Sequence, residues 1–295
     1  MQKVKHLYLN FSTYDLYKVC PAKVKYQVID SLQPEIDPIA PRKLEATTKG
    51  TIIHKVLDAA SQRLDWEDVF NAEIAKHPVF ETLKASQSGS KEHLHMIIEK
   101  YFSRYGLIET QWQTLQSEIK LEMPINSWLT AVGTLDKIVL RDGEKFLIDH
   151  KTSSGLQKYL EPKVRMSDQF TLYQLLCQAN GYDVKGIIID GICTDRTVLD
   201  KDKELFIRYE TTRSADQCAD FLERFERVGV KLKDSLEKDL FDPVRNEACS
   251  AFNSRCPFYD ACVAPVKQIT KNILTNNFIK GEPNASCRVI WDTLA

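Results

Sequence analysis

The chain has 295 residues, of which 43% are hydrophobic and 27% charged, and a formal net charge of −1 at pH 7. These values are typical of a soluble globular protein that buries a substantial core. Since no run approaches 18 apolar residues and the N-terminus lacks a signal-peptide core, we expect an intracellular, cytoplasmic protein. The near-neutral charge gives no sign of a strongly basic nucleic-acid binder, so any contact with nucleic acid would depend on a local basic patch.

The first part of the sequence predicts a short strand followed by helices. After the strand-like HLYLNFS, a helix ends near Cys20-Pro21, because proline stops or redirects the chain. A proline-rich loop then carries a small basic cluster of Arg42, Lys43 and Lys49, which by itself is typical of a solvated loop. The next segment, KGTIIHKVLDAASQRL, has the apolar spacing of an amphipathic helix. Its histidine, His54, lies beside the apolar stripe, where most histidines are simply surface or partly buried polar residues.

Residues from about 66 to 106 predict two or three amphipathic helices with a polar break at 85–90. His93 and His95 are two positions apart and cannot share a helix face, so we assign this segment to helical packing without chemistry. The alternating stretch at 113–125 predicts a strand. Glu118 would lie on one face of it, more simply as a surface charge than as an additional acid near a site.

The segment TAVGTLDKIVLRDGEKFLIDHKT at 130–152 predicts a β-hairpin. Its Asp-Gly dipeptide at 142–143 is the strongest short-range signal for a two-residue hairpin loop. With that loop, paired positions sum to 285, which brings Asp136 opposite Asp149. Directly opposed residues have Cβ atoms about 4.5–5.5 Å apart, so the two carboxylates would be close neighbours.

Two carboxylates at that distance repel each other unless a cation lies between them. Mg²⁺ and Mn²⁺ prefer oxygen ligands and keep open positions for water and phosphate. Since side chains alternate along a strand, Lys151 shares the face of Asp149 and could hold an attacking water or the negative oxygens of a phosphate. A metal ion beside an ammonium group suits phosphodiester hydrolysis. The alternative is a solvated hairpin whose exposed face happens to carry two aspartates and a lysine.

The remaining segments complete a mixed pattern of helices and strands. A polar linker at 153–166 precedes a helix at 168–181, on which Gln169 and Tyr173 lie one turn apart on one face. An almost continuously apolar strand, a second strand and a long amphipathic helix at 213–236 follow. This order predicts an α/β or α+β protein with a mixed sheet surrounded by helices.

Eight cysteines are present, and inside a cell they are more simply core thiols or metal ligands than disulfides. Three of them lie in apolar or helical contexts and are interpreted as buried, and Cys287 has no assigned role. The other four form what we call the cysteine quartet: Cys20, Cys249, Cys256 and Cys262. Three of these fall within 14 residues and need a fourth ligand, for which the distant cysteine before Pro21 is the candidate. Such a set would bind a structural Zn²⁺ or an iron–sulfur cluster, unless the thiols are unrelated.

Four motifs together resemble the PD-(D/E)xK nuclease superfamily, and most closely its RecB-like branch. They are Gly50-x-x-x-His54, Gly133-Thr-Leu-Asp136, Asp149-His-Lys151-Thr152-Ser153 and Gln169-x-x-x-Tyr173. The cysteine quartet, with CPFYDAC near the C-terminus, resembles the iron–sulfur version found in CRISPR-adaptation exonucleases, the AddB nuclease domain and related phage nucleases. The resemblance runs from about residue 12 to residue 262. Two departures are an aspartate where the third acid is more commonly glutamate, and a cysteine spacing other than C-x2-C-x5-C.

The resemblance implies a restriction-endonuclease-like fold: a mixed β-sheet core flanked by helices, with a cysteine-bound cluster joining the N- and C-terminal regions. It implies that Mg²⁺ or Mn²⁺ is ligated by His54, Asp136, Asp149 and the backbone carbonyl of His150. Lys151 would be the catalytic lysine, and Gln169 and Tyr173 would orient the substrate and that lysine. The cysteine quartet would hold a 4Fe-4S cluster, with Zn²⁺ as the less favoured occupant.

We therefore expect a Mg²⁺- or Mn²⁺-dependent deoxyribonuclease, specifically an exonuclease acting on single-stranded DNA or DNA ends. Its process would be repair, recombination, CRISPR adaptation or phage DNA metabolism, with a recombination or replication protein as a partner. We expect one nuclease domain at 1–265, with a helical insertion at about 62–106, and a C-terminal extension at 266–295. One alternative is a DNA-binding recombination or adaptation subunit with a structural metal centre and little catalysis. Another is a zinc-stabilised structural protein with a fortuitous D-x-K.

Overall fold

The structure, a computed structural model, describes residues 3–34, 46–109, 111–253, 255–281 and 289–293. Arg42, Lys43 and Cys287 lie outside the described residues. The chain divides into two compact units, each considered by itself. Unit 1 comprises Met1–Ala40, Glu122–Gly133 and Ala215–Ala295, and unit 2 comprises Pro41–Leu121 and Thr134–Ser214. None of the helices in the described ranges is long and apolar enough to cross a membrane.

The helices and strands follow one another along the chain in a mixed order. They are β1 (Val4–Asn10), α1 (Phe11–Val19), α2 (Pro21–Val24), β2 (Leu32–Pro34), α3 (Ala46–Ser61), α4 (Trp66–Ala75), α5 (Lys91–Glu109), β3 (Gln113–Pro124), β4 (Leu129–Arg141), β5 (Glu144–Ser153), α6 (Leu156–Met166), α7 (Asp168–Ala179), β6 (Val184–Cys193), α8 (Asp202–Leu205), β7 (Phe206–Thr211), α9 (Ala215–Lys238), α10 (Tyr259–Val263), α11 (Lys267–Asn276), β8 (Phe278–Lys280) and β9 (Val289–Thr293). This is the mixed α/β pattern that the sequence predicts.

The sheet of unit 2 is mixed. Its strands lie in the order β7-β6-β5-β4, and β3 also pairs with β4. β5 runs antiparallel to β4 and parallel to β6, and β7 runs antiparallel to β6. Nine of the ten residues of β6 are buried, which confirms the predicted interior strand covered on both faces.

The β4–β5 hairpin has the predicted turn and register. Asp142 and Gly143 have φ values of 53° and 81°, the left-handed pair that a two-residue turn of type I′ requires. Pairing begins at Arg141–Glu144 and continues residue by residue to Lys137–Ile148. The predicted sum of 285 therefore holds along the paired part of the hairpin.

The predicted polar linker at 153–166 is wrong, because α6 occupies most of it. Leu160 and Val164 lie one turn apart and are buried, so the segment does have an apolar face. Pro162 lies inside the helix and made a loop the natural interpretation. The helix end is satisfied from elsewhere in the unit, since the guanidinium of Arg213 donates to the carbonyl of Val164 at 2.7 Å.

Two helices of unit 2 pack on the sheet beside the hairpin. The predicted apolar stripe of α3 is buried, and α3 contacts β5. A Cβ atom at Gly50 would lie 2.8 Å from Oγ1 of Thr152, so only glycine allows α3 to approach β5 this closely. α7 begins where predicted, with Ser167 as its N-cap accepting a hydrogen bond from the N–H of Gln169.

Unit 1 combines the first and last parts of the chain. β1 pairs in parallel with the first residues of β4 and antiparallel with β9, and β2 pairs antiparallel with β8. The long helix α9 confirms the predicted amphipathic helix at 213–236 and packs on β1 and α1. Its buried rings Phe221 and Phe225 contact the ring of Tyr14. The segment after residue 265 contains α11, β8 and β9.

Candidate active site

The side chains predicted for the active site all lie in unit 2, where β4, β5, α3 and α7 come together. β4 carries Asp136, β5 carries Asp149 and Lys151, and α3 carries His54. The last paired positions of the hairpin, Lys137 and Ile148, immediately precede the two aspartates. The structure thus brings the predicted carboxylates and lysine to one end of the hairpin.

Asp136 is held as an anion by donors around one oxygen. Its Oδ2 accepts the backbone N–H of His150 at 2.8 Å and lies 3.4 Å from Nδ1 of both His54 and His150. Burial would raise the pKa of this carboxyl, but the hydrogen bonds from the two histidines and their charges hold the pKa well below its usual range. The carboxylate is therefore ionised and ready to bind a cation.

His54 shares this environment, which separates it from an ordinary surface histidine. Burial lowers its pKa, yet the hydrogen bond to Asp136 and the negative charge of that group together raise the pKa above 6.5. Its ring also stands edge-on to the ring of His150, with centroids 5.7 Å apart. The imidazole thus faces the carboxylate that the sequence pairs it with.

Asp149 and Lys151 form an ion pair with unequal exposure. Asp149 is 2% exposed, and its Oδ2 lies 2.7 Å from Nζ of Lys151, whose side chain is one-third exposed. That buried oxygen makes no hydrogen bond within the described residues, so the ammonium is its electrostatic neighbour without an aligned donor geometry. Burial raises the pKa of Asp149 against the lowering effect of Lys151, and the charge of Asp136 raises it further.

Gln169 and Tyr173 lie beside this ion pair and contact each other as predicted. Nε2 of Gln169 donates to the hydroxyl oxygen of Tyr173 at 2.9 Å. Burial, followed by the negative charge of Asp149, raises the pKa of Tyr173 to about 12. The phenol therefore stays protonated and remains a neutral donor next to the Asp149–Lys151 pair.

Behind His150 lies a buried charge network that sequence reasoning missed. His150, Asp190 and Arg208 occupy paired positions on β5, β6 and β7. Arg208 donates to both oxygens of Asp190 and, at 2.8 Å, to Oε1 of Glu109, and the hydroxyl of Tyr101 donates to Asp190 at 2.8 Å. The available signal was an aspartate inside the apolar run IIIDGI, since a charge in a buried strand requires a partner.

A small cavity beside Asp136 collects two further carboxylates. It has an empty volume of about 220 Å³ including its opening to solvent, and its lining includes His54, Asp136, Asp58 and Glu118. Glu118 has a positive φ of 48°, and its carboxyl pKa is raised by partial burial and by the charges of Asp136 and Asp58. Glu118 therefore faces the site, although the simpler expectation was a surface charge. Asp58 was not predicted, and its spacing of four residues from His54 on α3 was the signal.

The donors around Asp136 fit a hard divalent cation in chemistry and in one distance. Two ligands of the same ion, each about 2.1 Å from it, lie about 3.0–3.4 Å apart. The separation of 3.4 Å between Nδ1 of His54 and Oδ2 of Asp136 falls in that range. Within the described ranges, however, no three histidine, cysteine, aspartate or glutamate side chains are already arranged to hold a metal ion.

The cysteine quartet lies in unit 1, and its members are near enough to influence one another. Burial raises the pKa of the Cys262 thiol to about 11, and the charges of the other three cysteines of the quartet add to that rise. The backbone also links two members, since the N–H of Cys256 donates to the carbonyl of Cys249 at 2.8 Å. All four are free thiols of intermediate exposure. The grouping of cysteines from both ends of the chain is as expected.

Comparison with known proteins identifies the family. The model of the PD-(D/E)XK nuclease superfamily matches residues 8–263, which is most of the chain. The chain belongs to the PD-(D/E)XK nuclease superfamily, a group of hydrolases that generally use divalent metal ions. No curated protein matches the sequence.

Two solved structures illustrate the fold similarity. A candidate exonuclease from Eubacterium rectale is 13% identical, with a TM-score of 0.51, and the match covers 84% of this chain and 89% of that one. An alkaline exonuclease from Laribacter hongkongensis is 13% identical, with a TM-score of 0.34 and coverage of 66% and 95%. At this level of identity, the first similarity concerns the fold alone.

Proposed function

We propose that this chain is a metal-dependent deoxyribonuclease whose active centre consists of His54, Asp136, Asp149 and Lys151. The observation that carries the proposal is the ammonium of Lys151, 2.7 Å from the buried carboxylate of Asp149, at the same end of the hairpin as the His54–Asp136 pair. His54, Asp136, Asp149 and the carbonyl of His150 would hold Mg²⁺ or Mn²⁺. When bound, such an ion supplies positive charge that polarises a phosphodiester and lowers the pKa of water.

The chain's own groups have separate tasks in this scheme. The pKa of Lys151 is raised despite burial, because Asp149 is close, so its ammonium stays charged and donates to the phosphate oxygens as negative charge develops. Asp149 fixes the direction of that ammonium. Gln169 and Tyr173 restrict the ion pair from the α7 side. Asp136 remains anionic at neutral pH because its pKa is low.

DNA is the proposed substrate, and cleavage from single strands or duplex ends is the proposed mode. The process would be repair, recombination, CRISPR adaptation or phage DNA metabolism inside a cell. The name of the Eubacterium rectale protein, a candidate exonuclease, agrees with this mode but comes from a chain only 13% identical.

The test is digestion of end-labelled single- and double-stranded DNA with Mg²⁺, with Mn²⁺ and with a chelator. We expect degradation that requires the metal and is lost in Lys151→Met. Lys185→Met is the matched control, since Lys185 is 63% exposed and pairs with Glu144 at the far end of the hairpin. DNA binding by a folded protein without metal-dependent cleavage would instead favour a binding subunit.

We also propose that the cysteine quartet binds a 4Fe-4S cluster. Four free thiols whose charges act on one another support a shared ligand. Anaerobically purified protein should be brown, absorb in the visible range and contain iron and sulfide. Cys256→Ser should remove both, whereas Cys177→Ala, a buried cysteine of α7 outside the quartet, should retain them. A colourless protein with stoichiometric zinc would contradict the cluster and leave the nuclease proposal standing.

A further inference from the structure

A second polar cluster of unit 2 lies at the start of α5, in the segment whose sequence predicts only helical packing. His93 is completely buried. Its Nδ1 accepts the backbone N–H of Gly89 at 2.8 Å, which places the proton of the neutral ring on Nε2. That Nε2 is also buried and has no hydrogen-bond partner among the described residues. A buried donor without an acceptor is rare in folded proteins and indicates a missing ligand.

Two cationic side chains act on the same histidine. The stem of Lys49 crosses Gly89, since a Cβ atom there would lie 2.6 Å from Cε and 3.0 Å from Nζ of the lysine. No carboxylate in the described part of the chain forms an ion pair with Lys49, and partial burial lowers its pKa. Arg196 uses Nη1 to donate to the carbonyl of Ala85 at 3.0 Å, which leaves other guanidinium donors available.

The electrostatic balance at His93 is positive. Burial lowers the pKa of His93 to about 4, and the charges of Arg196 and Lys49 lower it as well. Asp195 is the one opposing charge, and its Oδ1 already accepts the N–H of Thr197 at 2.9 Å. A neutral imidazole donor between two cations is suited to an anion with several acceptor oxygens.

This cluster is connected to the candidate active site by the shortest path along α3. Lys49 is followed by Gly50, whose backbone packs against the side chain of Thr152. Thr152 in turn directly follows Lys151 on β5. A chain of phosphates that passes Lys151 would therefore reach the cluster within a few residues of protein backbone.

We propose that Lys49, His93 and Arg196 bind a non-scissile phosphate of the DNA strand whose neighbouring phosphodiester is cleaved at Lys151. This inference rests on the proposed nuclease function and adds a site that fixes the strand's position. The two cations supply charge and Nε2 of His93 supplies the directed hydrogen bond. Asp195 limits the local charge, which favours one phosphate over a polyanionic ligand.

The first measurement is binding of labelled single-stranded DNA in chelator, over a range of salt concentrations. Each phosphate contact on a single strand contributes about 0.7 to the slope of log K against log salt concentration. Lys49→Gln and Arg196→Gln should each weaken binding about tenfold at low salt and reduce the slope by about 0.7. Lys185→Gln removes an equal charge far along the hairpin and should leave both quantities unchanged.

The histidine needs a variant that preserves the fold. His93→Asn keeps an acceptor near the position of Nδ1 for the N–H of Gly89 and removes only the Nε2 donor. We expect weaker binding of DNA with an unchanged salt slope, because no charge is lost. Circular dichroism and thermal unfolding of the same sample establish that it is folded.

The second measurement locates the phosphate by chemistry. Single phosphates of the strand are replaced in turn by neutral methylphosphonate, and cleavage by the wild type is followed with Mn²⁺. One position near the cleaved bond should slow cleavage in the wild type but have no additional effect in Lys49→Gln. If the wild type shows no metal-dependent cleavage, the nuclease proposal fails. If it cleaves DNA while salt slope and methylphosphonate pattern are the same in Lys49→Gln as in the wild type, the phosphate site fails alone.

Discussion

The buried, neutral His93 makes a quantitative prediction about acid stability. Its pKa is about 4 in the folded protein and 6.5 in an unfolded chain. Between these values the unfolded state binds the proton and the folded state does not, so stability decreases as the pH falls. A difference of about 2.5 in pKa, at about 1.4 kcal/mol for each, corresponds to about 3 kcal/mol lost between pH 6.5 and pH 4.

The perturbation that isolates this contribution is His93→Asn. Wild type and variant share all carboxylates whose pKa values are lowered by folding, including Asp136 and Glu109, so acid loss from those groups cancels in the comparison. Urea unfolding is measured from pH 7.5 to pH 4 for both proteins. The wild-type free energy of unfolding should fall more steeply, with the difference between the two proteins changing by about 3 kcal/mol across the window. Parallel curves would refute the assignment of a neutral buried imidazole.

Three further predictions follow from the geometry of unit 2. Arg208→Met leaves the buried carboxylate of Asp190 without its main partner and should cost about 3–5 kcal/mol in urea unfolding, whereas Lys185→Met should change stability by no more than about 0.5 kcal/mol; equal effects would contradict the network. Gly50→Ala should cost about 1–3 kcal/mol because its Cβ meets Oγ1 of Thr152, and Thr152→Ala in the same background should recover most of that loss; no recovery would mean a different cause. The raised pKa of His54 means that a proton competes with a metal ion, so Mn²⁺ affinity by calorimetry should fall about tenfold per pH unit below that pKa and lose this dependence in His54→Ala. An affinity that does not vary between pH 8 and pH 6 would argue against His54 as a ligand.

The hairpin was predictable because its signals are local. A two-residue Asp-Gly turn fixes the register, and the register brings Asp136 and Asp149 to the same end of two strands. The pairing of Gln169 with Tyr173 is equally local, since it needs only the helical repeat. His54 required the family resemblance, because a lone histidine beside an apolar stripe carries no specific signal.

What the sequence did not predict depends on contacts between distant residues. α6 contains Pro162 and few apolar residues, and its stability depends on burial of Leu160 and Val164 and on the reach of Arg213. The partners of Asp190 come from three other elements, so the network appears only once β5, β6 and β7 are in register. The missing partner of His93 is likewise visible only in the folded chain.

The measurement that tests the central claim most directly is the rate of DNA cleavage by Lys151→Met relative to the wild type, with Mn²⁺ and with chelator. Loss of one preorganised charge at the reacting phosphate is expected to slow cleavage by about 10²–10³-fold or more. The account predicts a folded variant that binds DNA but no longer degrades it, while the wild type degrades DNA only when metal is present. Cleavage by folded Lys151→Met at the wild-type rate would contradict it.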